Sequence, residues 1–253
     1  MKDQKEKNVN QDTIEGRNPV MEALKSERPI NKLIVTKGKT EGPLNRIIAE
    51  AKKRQIPVQF VDRKKIDVMS TSDNHQGVIA YVAAYEYADL DQVLASVAAK
   101  GEKPYFIICD GISDPHNLGS ILRTADATGA HGVIIPKRRA VGLTSIVAKT
   151  SAGAIEYVPV CRVSNLVRAI ETLKENGAWI VGADMDGDRL HFEADMKGGI
   201  GIVVGAEGEG ISRLVKEHCD FLVQIPMKGG VSSLNASVAA SILMYEVVRQ
   251  NHQ

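Results

Sequence analysis

Cysteines, histidines and long apolar runs are all scarce in this chain. Among 253 residues there are three cysteines and six histidines. Cys109, Cys161 and Cys219 are widely spaced and odd in number, so neither a disulfide framework nor a zinc motif is indicated. The histidines form no close pair, which argues against a metal site. No apolar run reaches the roughly 18 residues of a membrane span, and the charged residues 1–7 lack the apolar core of a secretory signal. We therefore expect a cytoplasmic protein without a metal and without a membrane segment.

Net charge is also small, at +1, but the charges are unevenly distributed. Residues 1–85 contain 16 Lys and Arg against 11 Asp and Glu. The basic residues cluster at Lys37 and Lys39, at 52–54 and at 63–65. Such clusters suit a polyanion such as RNA. Charge alone favours the simpler interpretation, solvated helix faces.

Two α/β regions are predicted. Hydrophobic residues make up 43% of the chain and charged residues 25%, as in ordinary globular proteins. The polar residues 1–12 are expected to be a disordered tail. Alternating short helices and strands over 13–85 predict a small layered α/β domain. Residues 86–103 are expected to link it to a larger α/β domain at 104–253.

Short apolar runs flanked by helical segments predict a buried parallel sheet in the larger domain. These runs are Tyr105–Cys109, Gly132–Ile135, Trp179–Val181 and Ile200–Val204. The pattern by itself predicts an open, doubly wound sheet.

A first motif, residues 110–130, follows the strand that ends at Cys109. Ligands bind at the carboxyl ends of strands in parallel α/β sheets, so this loop is well placed. Pro115 is expected to prevent an early helix start and Asn117 to cap the helix. By itself the pattern favours Arg123 as an ordinary exposed arginine.

A second motif is the glycine-rich turn Gly205-Ala206-Glu207-Gly208-Glu209-Gly210, between a strand and a helix. Glycines let a backbone approach a ligand closely. Their spacing is neither that of a dinucleotide-binding turn nor that of a phosphate-binding P-loop. A generic dinucleotide-binding enzyme is therefore disfavoured, and a purely structural turn remains the alternative.

The third motif, residues 225–240, passes from an apolar strand end through two glycines to Ser233-Leu234-Asn235. A helix that begins with very small residues follows at once. Small side chains allow close approach of a ligand or of a neighbouring helix, and the residues leave both alternatives open.

Together and in this order, the three motifs resemble those of the SpoU (TrmH-type) branch of the SPOUT RNA methyltransferases. The resemblance implies methyl transfer from S-adenosyl-L-methionine to a ribose 2′-hydroxyl of RNA. It further implies a parallel sheet with a trefoil knot and a homodimer formed through the C-terminal domain. The catalytic residues it implies are Arg123, Asn117, Glu207, Ser233 and Asn235. The cofactor-binding residues it implies are Gly205, Ala206, Ile225, Met227 and Leu234.

A second resemblance covers the N-terminal domain. Gly16-Arg17-Asn18-Pro19-Val20-Met21-Glu22-Ala23-Leu24 and His75-Gln76-Gly77-Val78 resemble the substrate-binding domain of the bacterial 23S ribosomal RNA guanosine-2′-O-methyltransferase (RlmB-like) subgroup. This likeness favours a guanosine in 23S ribosomal RNA as the target. The alternatives are a transfer RNA 2′-O-methyltransferase and a non-catalytic RNA-binding or ribosome-assembly protein. Packing or surface roles for Arg17 and His75 also remain open.

Arg123 has two conceivable roles by resemblance: proton acceptor, or a cation that orients a phosphate and stabilises developing alkoxide charge. A guanidinium stays protonated in proteins, which favours the second role. We expect Glu207 to hold Arg123 in its rotamer. Ser233, Asn235 and Asn117 are expected to position the hydroxyl or the arginine.

Overall fold

The computed structural model describes residues 12–26, 30–38, 42–54, 56–70, 74–82 and 85–251. The chain forms two compact units. Unit 1 comprises residues 1–86 together with 143–156, and unit 2 comprises 87–142 and 157–253. The predicted disordered tail lies outside the described residues, except that Asp12 begins the first strand.

Unit 1 is built on a four-stranded mixed sheet. Its elements are β1 (Asp12–Glu15), α1 (Arg17–Lys25), β2 (Ile30–Thr36), α2 (Pro43–Lys53), β3 (Val58–Val61), α3 (Arg63–Met69) and β4 (Val78–Val82). The strand order is β1-β4-β2-β3, with β2 and β3 parallel and the other pairs antiparallel. Leu44, Ile47 and Ala51 of α2 are buried, as three-to-four spacing on one helix face requires.

Unit 2 is built on a seven-stranded parallel sheet. In chain order the remaining elements are α4 (Leu90–Ala99), β5 (Tyr105–Asp110), α5 (Pro115–Ala127), β6 (Gly132–Pro136), α6 (Ser145–Thr150), β7 (Val160–Val163), α7 (Leu166–Glu175), β8 (Ala178–Ala183), β9 (Arg189–Leu190), β10 (Gly199–Gly205), α8 (Arg213–Glu217), β11 (Phe221–Gln224) and α9 (Ala236–Asn251). The strand order is β7-β6-β5-β10-β8-β11-β9, and every pairing is parallel.

The predicted fold class is confirmed: a small α/β unit precedes a larger unit with a parallel sheet. The four apolar runs form β5, β6, β8 and β10, and their side chains Phe106, Ile134, Ile180 and Val203 belong to the buried core. After β11 the chain returns as α9, which packs against α5 and β10. Asp89 caps helix α4, since its side chain accepts a hydrogen bond from the Gln92 N–H.

One segment of the chain after β6, residues 143–156, belongs to unit 1. Helix α6, followed by a short 3₁₀ turn at Ala154–Glu156, packs against β1. The Glu156 carboxylate accepts a hydrogen bond from the Ser26 hydroxyl at 2.9 Å. Unit 1 is therefore discontinuous in sequence, which an alternation of helices and strands cannot indicate.

The start of α5 corrects one prediction. Asp114, not Asn117, caps this helix, because its carboxylate accepts a hydrogen bond from the His116 N–H at 2.8 Å. Pro115 then occupies the first helical position, where its fixed φ is favourable and no N–H is needed. Asn117 lies inside the helix and is buried, which frees its side chain for another role.

Among the described residues, no helix is long and apolar enough to span a bilayer.

Candidate active site

The carboxyl ends of β8, β10 and β11 open into a cavity of about 340 Å³, within the range typical of small-molecule sites. Because the strands are parallel and adjacent, their following loops meet at one edge of the sheet. The residues that line the cavity are Ala183, Asp184, Met185, Asp186, Val204, Gly205, Ala206, Glu207, Gly208, Glu209, Gly210, Lys216, Val223, Ile225, Met227, Ser232, Ser233, Leu234, Ala236 and Ala239.

The loop after β10 forms a tight turn over this cavity. The Gly210 N–H donates to the Ala206 carbonyl at 2.8 Å. A side chain at Gly205 would overlap the Gly210 carbonyl group, so only glycine fits the last position of the strand. The missing side chain thus lets the turn close against the end of β10.

Three polar side chains from three distant segments form what we call the amide cluster: Asn117, Glu207 and Asn235. One carboxylate oxygen, Glu207 Oε1, accepts from Asn117 Nδ2 at 2.8 Å and also from Asn235 Nδ2. Asn235 Nδ2 additionally donates to Asn117 Oδ1 at 2.8 Å. The cluster thus joins α5, the loop after β10 and the start of α9.

The other end of the Asn235 side chain is fixed as well. Its Oδ1 accepts from the Ser237 hydroxyl at 2.6 Å and from the Ser237 and Val238 N–H groups. Asn235 therefore caps α9. With its oxygen engaged at the helix start, its amide nitrogen is directed at Glu207, so both ends of the amide have assigned partners.

Arg123 is placed differently. It is exposed, and its side chain makes no hydrogen bond or ion pair within the part of the chain that the structure describes. The hypothesis that Glu207 holds Arg123 in its rotamer is wrong for this structure, because the described contacts of Glu207 go to Asn117, Asn235 and the Ala236 N–H. The carboxylate is taken up by amide donors that lie nearer to it.

The other predicted residues collect around the cavity. All five predicted cofactor-binding residues line it: Gly205, Ala206, Ile225, Met227 and Leu234. Ser233 and Glu207 line it too, whereas Asn117 and Asn235 reach it through Glu207. Their roles in binding and catalysis stay predictions.

The motif analysis missed the segment after β8. Asp184 and Lys216 line the cavity and form an ion pair in which the Asp184 side chain is only 9% exposed. The Asp184 N–H also donates to the Val223 carbonyl at 3.0 Å. Only the position of this segment could have indicated a role in the site. It follows a parallel strand adjacent to β10, and ligand-binding loops occur at the carboxyl ends of such strands.

In unit 1 the two N-terminal motifs meet. The Arg17 N–H donates to Gln76 Oε1 at 2.9 Å and Arg17 Nε to the Gln76 carbonyl at 3.2 Å. His75 is buried; its Nδ1 accepts from the Gly77 N–H at 3.0 Å, and its Nε2 lies 2.7 Å from Asp67. These bonds give His75 and the Arg17 Nε a structural role in ordering the 74–77 turn.

The basic clusters of unit 1 are only partly free. Lys52, Lys53 and residues 63–65 are exposed. Arg54 instead donates to the carbonyls of Leu24 and Ser26. Lys39 lies outside the described residues. Part of the basic excess therefore serves packing, and the rest is available at the surface.

The cysteines offer no nucleophile to this site. Burial raises the pKa of the Cys109, Cys161 and Cys219 thiols to about 12, and none of the three lines the cavity. Within the described ranges, no group of three or more His, Cys, Asp or Glu side chains is arranged to hold a metal ion.

Two family models match this chain, and so do several named relatives. Residues 104–245 match the model of the SpoU rRNA Methylase family, and residues 13–88 match a model described as RNA 2′-O ribose methyltransferase substrate binding. A Bacillus subtilis (strain 168) protein named as a TrmH family tRNA/rRNA methyltransferase, YacO, is 53% identical over 95% of this chain and 96% of its own length. A Staphylococcus saprophyticus protein named as a TrmH family tRNA/rRNA methyltransferase is 54% identical over 94% and 96%.

A solved structure agrees with this relationship. The SpoU methyltransferase AviRb from Streptomyces viridochromogenes, crystallised in complex with the cofactor AdoMet, superposes with a TM-score of 0.78. It is 27% identical and covers 94% of this chain and 89% of AviRb. Since a family model matches more than half of the chain and relatives above 50% identity match nearly all of it, the protein is a member of the SpoU rRNA methylase family of RNA methyltransferases.

Proposed function

We propose that the protein transfers a methyl group from S-adenosyl-L-methionine to the ribose 2′-hydroxyl of a guanosine in 23S ribosomal RNA. The methyl donor is S-adenosyl-L-methionine, the cofactor with which AviRb was crystallised. Unit 2 carries the transfer, and the domain predicted at 13–85 binds the RNA. We place the protein in the cytoplasm, because bacterial ribosomal RNA is found there.

One observation carries the proposal: the amide cluster of Asn117, Glu207 and Asn235 adjoins a cavity walled by Gly205, Ala206, Ile225, Met227 and Leu234. The residues suit the donor. Gly205 presents bare backbone, and Ile225 and Leu234 supply an apolar wall. When bound, the donor supplies a methyl group activated by its sulfonium.

The chain's own residues then have to align the ribose oxygen with that methyl group and manage its proton. Alignment is the larger task, because orienting two reactants can remove about 7–11 kcal/mol of barrier. We assign Glu207 to anchoring the two amides, and Asn235 and Ser233 to positioning the hydroxyl. Arg123, whose guanidinium is unpaired in the described chain, binds a phosphate of the substrate and stabilises charge on the ribose oxygen.

The match at residues 13–88 supports RNA recognition by the N-terminal domain. Together with the Gly16–Leu24 and His75–Val78 motifs, it favours ribosomal over transfer RNA. The test is direct: radiolabelled donor, purified protein, and separate 23S ribosomal RNA and transfer RNA transcripts. Label in the 23S transcript supports the proposal, and mapping 2′-O-methyl positions in ribosomal RNA from cells lacking the protein identifies the nucleotide.

A second candidate function is 2′-O-methylation of transfer RNA. The names of the relatives favour keeping it, since they mention both transfer and ribosomal RNA. Label in transfer RNA alone would establish that candidate. A non-catalytic RNA-binding or assembly protein would bind RNA but transfer no label to either transcript. Equilibrium dialysis with the donor separates this case further, because a decayed site would not retain it.

We also propose that the protein is a homodimer through its C-terminal domain. A shallow depression between α5 and α9 is lined by Ser120, Ser237, Val238, Ser241, Ile242 and Tyr245. Val238 and Tyr245 are about half exposed in the single chain, and a second copy seated on this face would bury them. Light scattering of the wild type should give twice the chain mass, and Val238→Glu should give the mass of one chain.

A further inference from the structure

We propose that three consecutive basic residues after β6, Lys137, Arg138 and Arg139, form a phosphate-binding loop for the RNA beside the target ribose. We call residues 137–139 the basic loop. This inference rests on the proposed function, because it assigns part of the substrate path to a loop that none of the three motifs includes.

Position is the first argument. Strand β6 pairs in parallel with β5, which pairs in parallel with β10, so the basic loop leaves the same sheet edge that opens into the cavity. The Val141 N–H donates to the Ile112 carbonyl at 2.9 Å, which ties the loop to the one after β5. Gly111, at φ 80°, lies between: a Cβ there would be 3.5 Å from Ala206 Cβ and 4.0 Å from the Arg139 carbonyl oxygen. The backbone of Arg139 is thus about one residue away from a cavity-lining residue.

Backbone conformation is the second argument. Arg139 has φ 58°, in the left-handed region that residues other than glycine rarely adopt. Such conformations persist where the surroundings hold them, and they concentrate at functional sites. Here hydrogen bonds hold the loop on both sides of Arg139: the Val141 N–H bond to the Ile112 carbonyl follows it, and two bonds at Lys137 precede it. The Lys137 N–H donates to the Val163 carbonyl at 2.8 Å, and Arg162 Nη2 donates to the Lys137 carbonyl at 3.0 Å.

Charge is the third argument. The side chains of Lys137, Arg138 and Arg139 are exposed and make no hydrogen bond or ion pair with any residue that the structure describes. Arg162, by contrast, is engaged by the Lys137 carbonyl and lies over the Tyr87 ring. Three unpaired cations in a row create a local positive potential, and guanidinium groups match phosphate oxygens two at a time.

The rim of the cavity carries negative charge, in contrast to the positively charged basic loop. Glu207 and Glu209 line the cavity and are exposed. A phosphate is repelled by these carboxylates and attracted by the basic loop, on the other side of Gly111. The two charges together orient an RNA strand so that its backbone lies on the loop and its ribose reaches toward the cavity.

The experiment measures equilibrium binding of an unmodified 23S ribosomal RNA transcript by filter retention over a series of KCl concentrations. The test variant is Arg138→Ala/Arg139→Gly, because glycine keeps the left-handed backbone while removing the charge. The matched control is Lys100→Ala/Lys103→Ala. It removes two exposed cations that precede β5, at the opposite edge of the same sheet.

We expect the test variant to lose about tenfold in RNA affinity, because two charged contacts are removed. The slope of log K against log KCl concentration should become shallower by about 1.4, since each lost phosphate contact accounts for about 0.7. The control should match the wild type in both. In methyl transfer, KM for RNA should rise as the affinity falls, while kcat at saturating RNA stays within about twofold of the wild-type value. Arg139→Lys keeps the cation but loses the planar fork, so its affinity should lie between those of the wild type and the test variant.

A test variant that binds RNA with wild-type affinity and slope, or that loses no more than the control, overturns the inference. The outcome is separable from failure of the proposed function. If the wild type binds RNA but methylates none, the proposed function fails, and the comparison of binding slopes still decides the role of the basic loop.

Discussion

The amide cluster and Arg123 both depend on helix α5, yet the fold prepares only one of them. Asn117 is buried and hydrogen-bonded to Glu207 and Asn235, whereas Arg123, six residues later on the helix, is exposed without a partner among the described residues. A group that is fixed before the substrate arrives costs nothing to order later. A free guanidinium must instead be ordered by the substrate or by a second subunit.

The difference suggests a division of labour. The amide cluster holds three chain segments together and shapes the pocket in the absence of RNA. Arg123 makes no hydrogen bond or ion pair with the described residues, so we expect its polar contribution to arise in the complex. Variants of the two groups should therefore separate activity from stability, and each of the following measurements sharpens or breaks that contrast.

The largest effect is expected from Arg123→Ala. We expect kcat to fall by about 10³, the upper range for removing one charge-stabilising donor, while donor affinity and the melting temperature stay at wild-type values. Single-turnover methylation, equilibrium dialysis and calorimetry measure the three quantities. Arg123→Lys keeps the charge without the planar fork, and near-normal turnover of this variant would rule out bidentate positioning.

Glu207→Ala should have the next largest effect. It removes the acceptor shared by Asn117 and Asn235, and small displacements of positioning groups cost about 10² in rate. Unlike Arg123→Ala, this variant should also melt at a lower temperature, because the buried side-chain amide of Asn117 loses its acceptor. Glu207→Gln, which restores an acceptor without the charge, is the control. Wild-type turnover in the alanine variant would remove the amide cluster from the mechanism.

Asn117→Asp should act on stability. It replaces the buried donor with a second carboxylate facing Glu207, and an unsatisfied buried polar group costs about 1–3 kcal/mol. Urea unfolding should show this loss in the free energy of unfolding. Asn165→Asp is the matched control, since Asn165 is the exposed cap of α7, where a carboxylate is equally suitable. Equal stability of the two variants would contradict the buried network.

The smallest effect is expected at the cysteines. Because burial raises the pKa of Cys109 and Cys161 to about 12, both remain protonated thiols at pH 8. Iodoacetamide should modify them slowly in the folded protein and rapidly in urea, as mass spectrometry can follow. Rapid labelling of the native chain would show that the core of unit 2 opens more readily than its packing indicates.

Local pattern was informative where an element satisfies its own requirements. The face formed by Leu44, Ile47 and Ala51, the Asp89 cap and the buried runs that became β5 and β10 all follow from periodicity and capping chemistry. Pattern was misleading at Asn117, which was predicted to cap the helix that Asp114 caps. The partner of the Asn117 side chain is Glu207, about 90 residues later, which no local window contains.

The same contrast holds for the candidate active site, where the motifs indicated some residues and not others. The three motifs, compared with a known family, named the residues that line the cavity. They did not indicate Asp184 and Lys216, whose pairing depends on the adjacency of β8 and β10. They also did not indicate that Arg123 lacks a partner. Contacts between residues far apart in sequence depend on strand order, and helical or strand periodicity does not predict strand order.

By itself, the sequence determined the two α/β regions, the four buried strands β5, β6, β8 and β10 to within two residues at each end and, through its motifs, the family. These follow from short-range physics: apolar periodicity, caps and glycine turns act over a few residues. Only the tertiary structure decided that Asn117, Glu207 and Asn235 share hydrogen bonds, that residues 143–156 belong to unit 1 and that the basic loop adjoins the cavity. Those facts depend on which segments the folded sheet brings together, and the free energy that selects them is spread over the whole core.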